Sequence, residues 1–375
     1  MSNPKKLHCY RMDIYNIGGV LVLVFVYALV NGGKAQESTT LFPAIITFGD
    51  SSVDVGNNNY LPTHFKANYL PYGMDFINQQ PTGRFCNGKL VVDFTAEILG
   101  FKTYPPAYLS PQAAGKNLLI GASFGSAASG FDEKAVILNH AIPLFQQLKY
   151  FKEYKTKLAK VAGNQKASSI IQDALYILSA GTADFLQNYY FDSSIRKAYT
   201  PSQYSSKLVS VFSTFVKDLY GLGARKIGVT SLAPLGCLPA ATSVFGYGDE
   251  NSNRHCLTRL NNDAQAFNKM LNSSAVELKK QLLGLKIVVF DIFNPLYDVV
   301  NSPSKYGFVE ARRGCCGIRK KGNIVEKSSV LCKPAKSKGT CSNATQYVFW
   351  DSVHPSEAAN QVVADAMVAQ AFPLI

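Results

Sequence analysis

Three residue types that together can split an ester stand in two short segments near opposite ends of the 375-residue sequence. Ser51 closes Phe48-Gly49-Asp50-Ser51, and Asp351 and His354 lie three apart in Trp350-Asp351-Ser352-Val353-His354-Pro355. A serine hydroxyl is a weak nucleophile until a base takes its proton. The imidazole of His354 can be that base and can return the proton as an acid. One turn of chain brings the Asp351 carboxylate to the imidazole, where it fixes the ring's tautomer and steadies the imidazolium. His64, His140 and His255 have no acidic residue at this spacing just before a helix start. A lone Asp-x-x-His is often a surface ion pair. Its pairing with Gly-Asp-Ser in a chain of alternating strands and helices argues for chemistry instead.

Ser123 competes for the nucleophile's role. Gly121-Ala122-Ser123-Phe124-Gly125 fits the G-x-S-x-G pattern of a nucleophile elbow. An elbow serine leads straight into a helix, whereas Ser126-Ala-Ala-Ser-Gly130 follows here with small, loop-forming residues. Ser51 is therefore the expected nucleophile.

Positioning these groups requires a framework. Continuous apolar runs over Pro43–Phe48, Ala174–Ser179, Lys226–Thr230 and Lys286–Phe290 predict strands covered on both faces. Helical periodicity covers Ser205–Leu222, Arg259–Leu283 and Ser356–Phe372, with Pro355 suited to the first turn of the last. Strands alternating with helices predict a doubly wound, mainly parallel sheet. Its working site lies beyond the carboxyl ends of the strands. Gly49-Asp50-Ser51 and Gly181-Thr182-Ala183-Asp184 both follow such ends.

The N-terminus reads as a secretory signal peptide over residues 1–35. Lys5, Lys6 and Arg11 precede the uncharged run Ile17–Val30, and Gly33-Lys34-Ala35 supplies a small-x-small exit. The run is shorter than the ~20 residues of a membrane-spanning helix, so stable membrane insertion after cleavage is not expected. Residues 36–375 then form a single domain. Cleavage after Ala35 removes Lys5, Lys6, Arg11, Lys34 and Asp13, so the net charge of +13 falls to +10. That surplus favours a polyanion such as an acidic cell-wall polysaccharide, or it serves solubility alone. Nucleic acid is not an expected partner, because the basic residues are scattered and no binding motif accompanies them.

Cys315, Cys316, Cys332 and Cys341 crowd one loop-like segment, and Cys237 and Cys256 flank another. In an exported chain these patterns predict disulfides, with pairings that spacing does not decide. Cys86 is the expected free thiol. A zinc site is not expected, for want of a Cys-x-x-Cys pair or a nearby histidine. Asn272-Ser273-Ser274 and Asn343-Ala344-Thr345 are glycosylation sequons suited to the same compartment.

With these residues in place, the chain resembles the plant GDSL esterase/lipase family of the SGNH hydrolase superfamily. The blocks Phe48–Asn59, Gly121–Gly130, Ser179–Phe185 and Asp351–Pro355, with the Pro81–Lys89 segment, carry the resemblance over nearly all of the mature chain. It implies a flavodoxin-like three-layer α/β/α sandwich. It also implies hydrolysis of carboxylic or lipid esters by Ser51, His354 and Asp351, without metal or cofactor. The oxyanion of the reaction would meet the backbone N–H of Ser51 and one from the second block, around Ala128 or Gly130. The third block of the family usually places an asparagine donor where this chain has Ala183, and a methyl group donates nothing. Loss of one such donor costs roughly 10²–10³ in turnover. Asn188 nearby, or a water, is a candidate substitute. The same machinery also suits an acyltransferase, with an alcohol in place of water. The missing donor suits a non-catalytic wall- or lipid-binding protein on a hydrolase scaffold.

Overall fold

The computed structural model of the chain describes residues 40–246, 256–316, 330–334 and 339–375. The expected signal peptide lies outside them. Five short strands form one sheet: β1 (Ile45–Gly49), β2 (Gly121–Ser123), β3 (Leu175–Ser179), β4 (Lys226–Thr230) and β5 (Lys286–Phe290). All pairings are parallel, in the order β2-β1-β3-β4-β5. This is the doubly wound, flavodoxin-like order. Ile45 pairs with Gly121 on one side and with Leu175 on the other, so β1 is interior.

Alternation along the strands divides the core. Ile46, Phe48, Tyr176, Leu178, Ile227 and Val229 face one layer of helices: α1 (Leu144–Ala162), α2 (Pro201–Gly221) and α3 (Thr258–Gln281). The Phe48 ring lies 5.6 Å from Phe151 of α1 and 5.5 Å from Phe215 of α2. Ile45, Leu175, Ile177 and Phe290 face the other layer, where Val92 and Ala96 of helix Val91–Ile98 meet Met367 of α4 (Glu357–Ala369). A strand buried on both faces has no polar side to show, which is why its sequence reads as an unbroken apolar run.

Local chemistry sets the helix ends. Thr200 Oγ1 accepts the Gln203 N–H while Gln203 Oε1 accepts the Thr200 N–H, and Pro201 opens α2 with its preset φ. α2 therefore begins four residues before the periodic pattern does. Ser356 caps α4 by accepting the Ala359 N–H. Pro355 is not in that first turn, contrary to expectation, because it forms an antiparallel bridge with Phe349.

A two-stranded parallel ladder joins Glu310–Gly314 to Tyr347–Phe349. Disulfides link Cys237 to Cys256, Cys315 to Cys341 and Cys316 to Cys332, while Cys86 is buried and unpaired. Among the described residues no helix is long and apolar enough to cross a membrane.

Candidate active site

A doubly wound sheet opens a crevice where the strand order reverses, between β1 and β3. Ser51 follows β1 directly, and Thr182 and Ala183 follow β3. The turn at Ser51 needs Gly49. Its φ is +131°, and a Cβ there would fall 1.7 Å from the Ser179 carbonyl oxygen. Gln147 of α1 clamps the same peptide, accepting the Gly49 N–H at 2.9 Å and donating to its carbonyl at 3.0 Å. Asp50 N–H donates to the Ser179 carbonyl, so the turn is tied to β3. The Asp50 carboxyl is buried, which raises it above the usual range despite bonds from Ser52.

His354 and Asp351 arrive from the loop between Phe349 and α4. Asp351 Oδ1 accepts the N–H groups of Val353 and His354 at 2.8 and 2.7 Å, a tight turn that its own side chain closes. Its Oδ2 lies 2.7 Å from His354 Nδ1. A carboxylate only accepts, so Nδ1 carries a hydrogen toward Asp351, and in the neutral form of the ring Nε2 presents its lone pair. Nε2 lies 2.8 Å from Ser51 Oγ. Asp351 is buried, while the His354 side chain is 12% exposed, enough for a reactant to reach the ring. Phe85 packs against the imidazole with ring centres 5.1 Å apart.

Sequence reasoning missed Tyr72. Its hydroxyl donates to Asp351 Oδ2 at 2.7 Å and accepts the Cys332 N–H at 3.1 Å. Burial, and then the Asp351 charge, push its own ionisation well above the ordinary range, so it stays a donor. The Cys316–Cys332 bridge thereby reaches the buried aspartate through one tyrosine. Only the Pro71-Tyr72-Gly73 turn marks this residue in the sequence, and its partner is 279 positions away.

The loop opposite Ser51 hangs between two buried carboxylates. Asp54 Oδ2 accepts the Ala127 N–H at 3.0 Å. Asp184 accepts those of Phe131 and Asp132, each at 2.8 Å. Burial pushes Asp54 up to about 6 and Asp184 to about 7. Between them Ala128 adopts a left-handed φ of +67° and borders the pocket beside Ser51 and His354. The N–H groups of Ser51 and Ala128 make no hydrogen bond to any described residue. Gly130 lies elsewhere: a Cβ there would meet the Asp184 carboxylate at 2.5 Å, and the residue is not on the pocket wall. Of the two second-block residues, Ala128 is thus the one at the pocket.

Ser123 is not there either. It is buried in edge strand β2 and its hydroxyl donates to the Val53 carbonyl, which leaves it no base. Ala183 does line the pocket, as the residue before a π-helical stretch, Asp184–Phe191. Asn188 faces an adjoining groove instead. The pocket has a volume of about 30 Å³ and the groove about 380 Å³, and Phe65, Gln187 and Val330 border both. Asn272 is exposed on α3, and Asn343 is exposed at a turn where its Oδ1 accepts from Thr345.

Together the fold and the site define a class, a doubly wound α/β protein with a hydrogen-bonded Ser–His–Asp series at its strand ends. The profile of GDSL-like Lipase/Acylhydrolase matches residues 45–367, and the chain belongs to that family of carboxylic ester hydrolases. It is 61% identical over 356 residues to the GDSL esterase/lipase APG of Arabidopsis thaliana, covering 95% of this chain and 97% of that one. A second GDSL esterase/lipase of the same plant is 50% identical over 367 residues, covering 97% and 98%. Among solved structures, an acetylxylan esterase from Geobacillus stearothermophilus is similar at 13% identity and a TM-score of 0.39, covering 89% of this chain and 96% of that one.

Proposed function

We propose that the chain hydrolyses carboxylic esters of lipid or acyl type, with Ser51 as nucleophile, His354 as general base and acid, and Asp351 holding the ring. One observation carries this reading: the unbroken series Ser51 Oγ to His354 Nε2 at 2.8 Å and His354 Nδ1 to Asp351 Oδ2 at 2.7 Å. Ser51 Oγ bonds to the carbonyl carbon as its proton passes to Nε2. The carbonyl electron pair moves to oxygen, which faces the N–H groups of Ser51 and Ala128. Collapse expels the alcohol, which takes the proton from Nε2. Water then repeats the sequence, releasing the acid and restoring Ser51.

The pocket of about 30 Å³ suits the reacting carbonyl, and the adjoining groove of about 380 Å³ suits a longer arm of the ester. No lysine or arginine stands among the described residues of the pocket wall, so an acidic wall polymer finds no counter-charge at the reacting centre. The three disulfides and the N-terminal basic and apolar run support export from the cell. Exposure of Asn272 and Asn343 supports glycan attachment there.

The test is Ser51→Ala assayed on p-nitrophenyl butyrate and with a fluorophosphonate probe. Turnover and labelling both disappear while circular dichroism is unchanged. Persistent turnover in that variant defeats the assignment. Product analysis with glycerol present separates hydrolysis from acyl transfer.

A further inference from the structure

We infer that the side-chain carboxamide of Gln187 supplies the oxyanion donor that Ala183 lacks, an inference that rests on the proposed role of Ser51. Ala183 and Gln187 are four apart in one continuous helical run, and even with the wider π-helical turn they fall on roughly the same side. Helical side chains lean toward the N-terminus, and a long one covers the surface over the preceding turn. The long side chain of Gln187 can therefore carry its carboxamide toward the place where a side chain at 183 would end. Both residues line the pocket with Ser51, Ala128 and His354.

The neighbours are otherwise engaged. Asp184 holds the Phe131 and Asp132 amides, and Asn188 faces the groove. Gln187 is half-buried, and its side chain makes no hydrogen bond to any described residue. From residue 184 the backbone runs as a π-helix, an uncommon geometry that recurs at functional sites. The carboxamide offers two N–H donors. It gives up no proton: it bonds to the alkoxide while Ser51 Oγ–C forms and releases it when the C–O bond to the alcohol breaks.

The experiment measures kcat and KM of the full chain on p-nitrophenyl butyrate for wild type, Gln187→Met, Ala183→Asn, Thr182→Val and the double variant Gln187→Met/Ala183→Asn. Methionine keeps the length of the side chain and removes the donor. Gln187→Met lowers kcat roughly 10²-fold, the usual effect of losing one such donor, and leaves KM nearly unchanged. Adding Ala183→Asn to Gln187→Met restores most of that loss, and the same change in wild type gains far less. Full kcat in Gln187→Met overturns the inference. So does a larger loss in Thr182→Val, whose hydroxyl also lines the pocket, or a double variant no faster than Gln187→Met. If Ser51→Ala retains turnover, the underlying reading fails. If Ser51→Ala is inert and Gln187→Met is fully active, only this inference fails.

Discussion

Asp351 Oδ2 receives two donors, the His354 ring and the Tyr72 hydroxyl, and the second decides how rigidly the carboxylate is held. Tyr72→Phe keeps the ring that packs on Phe85 and removes that donor, along with the acceptor of the Cys332 N–H. A hydrogen bond to a charged group is worth about 1.5–3 kcal/mol, so kcat/KM is expected to fall by about tenfold to a hundredfold. Steady-state kinetics on the same butyrate ester check this, with a thermal melt to show that the fold persists. Ser51, Asp351 and His354 were legible in the sequence because each lies in a short motif with its own chemistry. Tyr72 was not, because nothing beside it in the chain names its partner. Ala128 was legible only as a block position. An alanine carries no mark of the left-handed φ it adopts, a conformation costing an L-residue roughly 1–2 kcal/mol.

Among the elements, Pro81–Lys89 works as a brace between the Ser51 turn and α4. Arg84 donates to both carboxylate oxygens of Asp93 at 2.8 Å and reaches the Val55 carbonyl at 3.3 Å. Asn87 Oδ1 accepts the Glu357 N–H at the start of α4. Arg84 and Asp93 are both buried, so Arg84→Met leaves an unpaired charge in the interior. Such a loss destabilises by about 3–5 kcal/mol, which urea denaturation measures. A loss of stability below about 1 kcal/mol contradicts this account of the brace. β4 and β5 were legible to the residue, since branched and aromatic side chains fill them. β2 was not, because Gly-Ala-Ser is three residues long and has the composition of a turn. Disulfide pairing was equally hidden: Cys315, Cys316, Cys332 and Cys341 allow three pairings, and the fold selects one.

For the whole molecule, the buried aspartates set a slope of stability with pH. In the folded chain Asp54 titrates at about 6 and Asp184 at about 7, against an ordinary value of 3.8. Burial also raises Asp50 and Glu357. Groups raised on folding contribute stability that is complete below their unfolded values and is lost as pH climbs through the folded ones. The contribution therefore fades between about pH 4 and pH 7, each tenfold gain in proton affinity on folding being worth roughly 1.4 kcal/mol. Glu97 is displaced the other way, but its carboxylate sits near the surface. Thermal melts at pH 5 and pH 8 test the sign: the melting temperature is higher at pH 5. A higher value at pH 8 contradicts it. The doubly wound architecture itself was legible, because strands buried on both faces and amphipathic helices alternate in the chain.

The bond between Ser51 and His354 joins residues 303 positions apart. Synthesis runs from the N-terminus, so Ser51 leaves the ribosome long before His354 exists. β1 must also wait for β2 and β3, since an interior parallel strand has no partner next to it in the chain. If Ser51, His354 and Asp351 act as proposed, the nascent polypeptide is inert toward the esters around it, and a copy broken off ahead of Asp351 remains so. Under the proposed mechanism, catalytic competence waits for the segment that carries Asp351 and His354, far along the chain from Ser51.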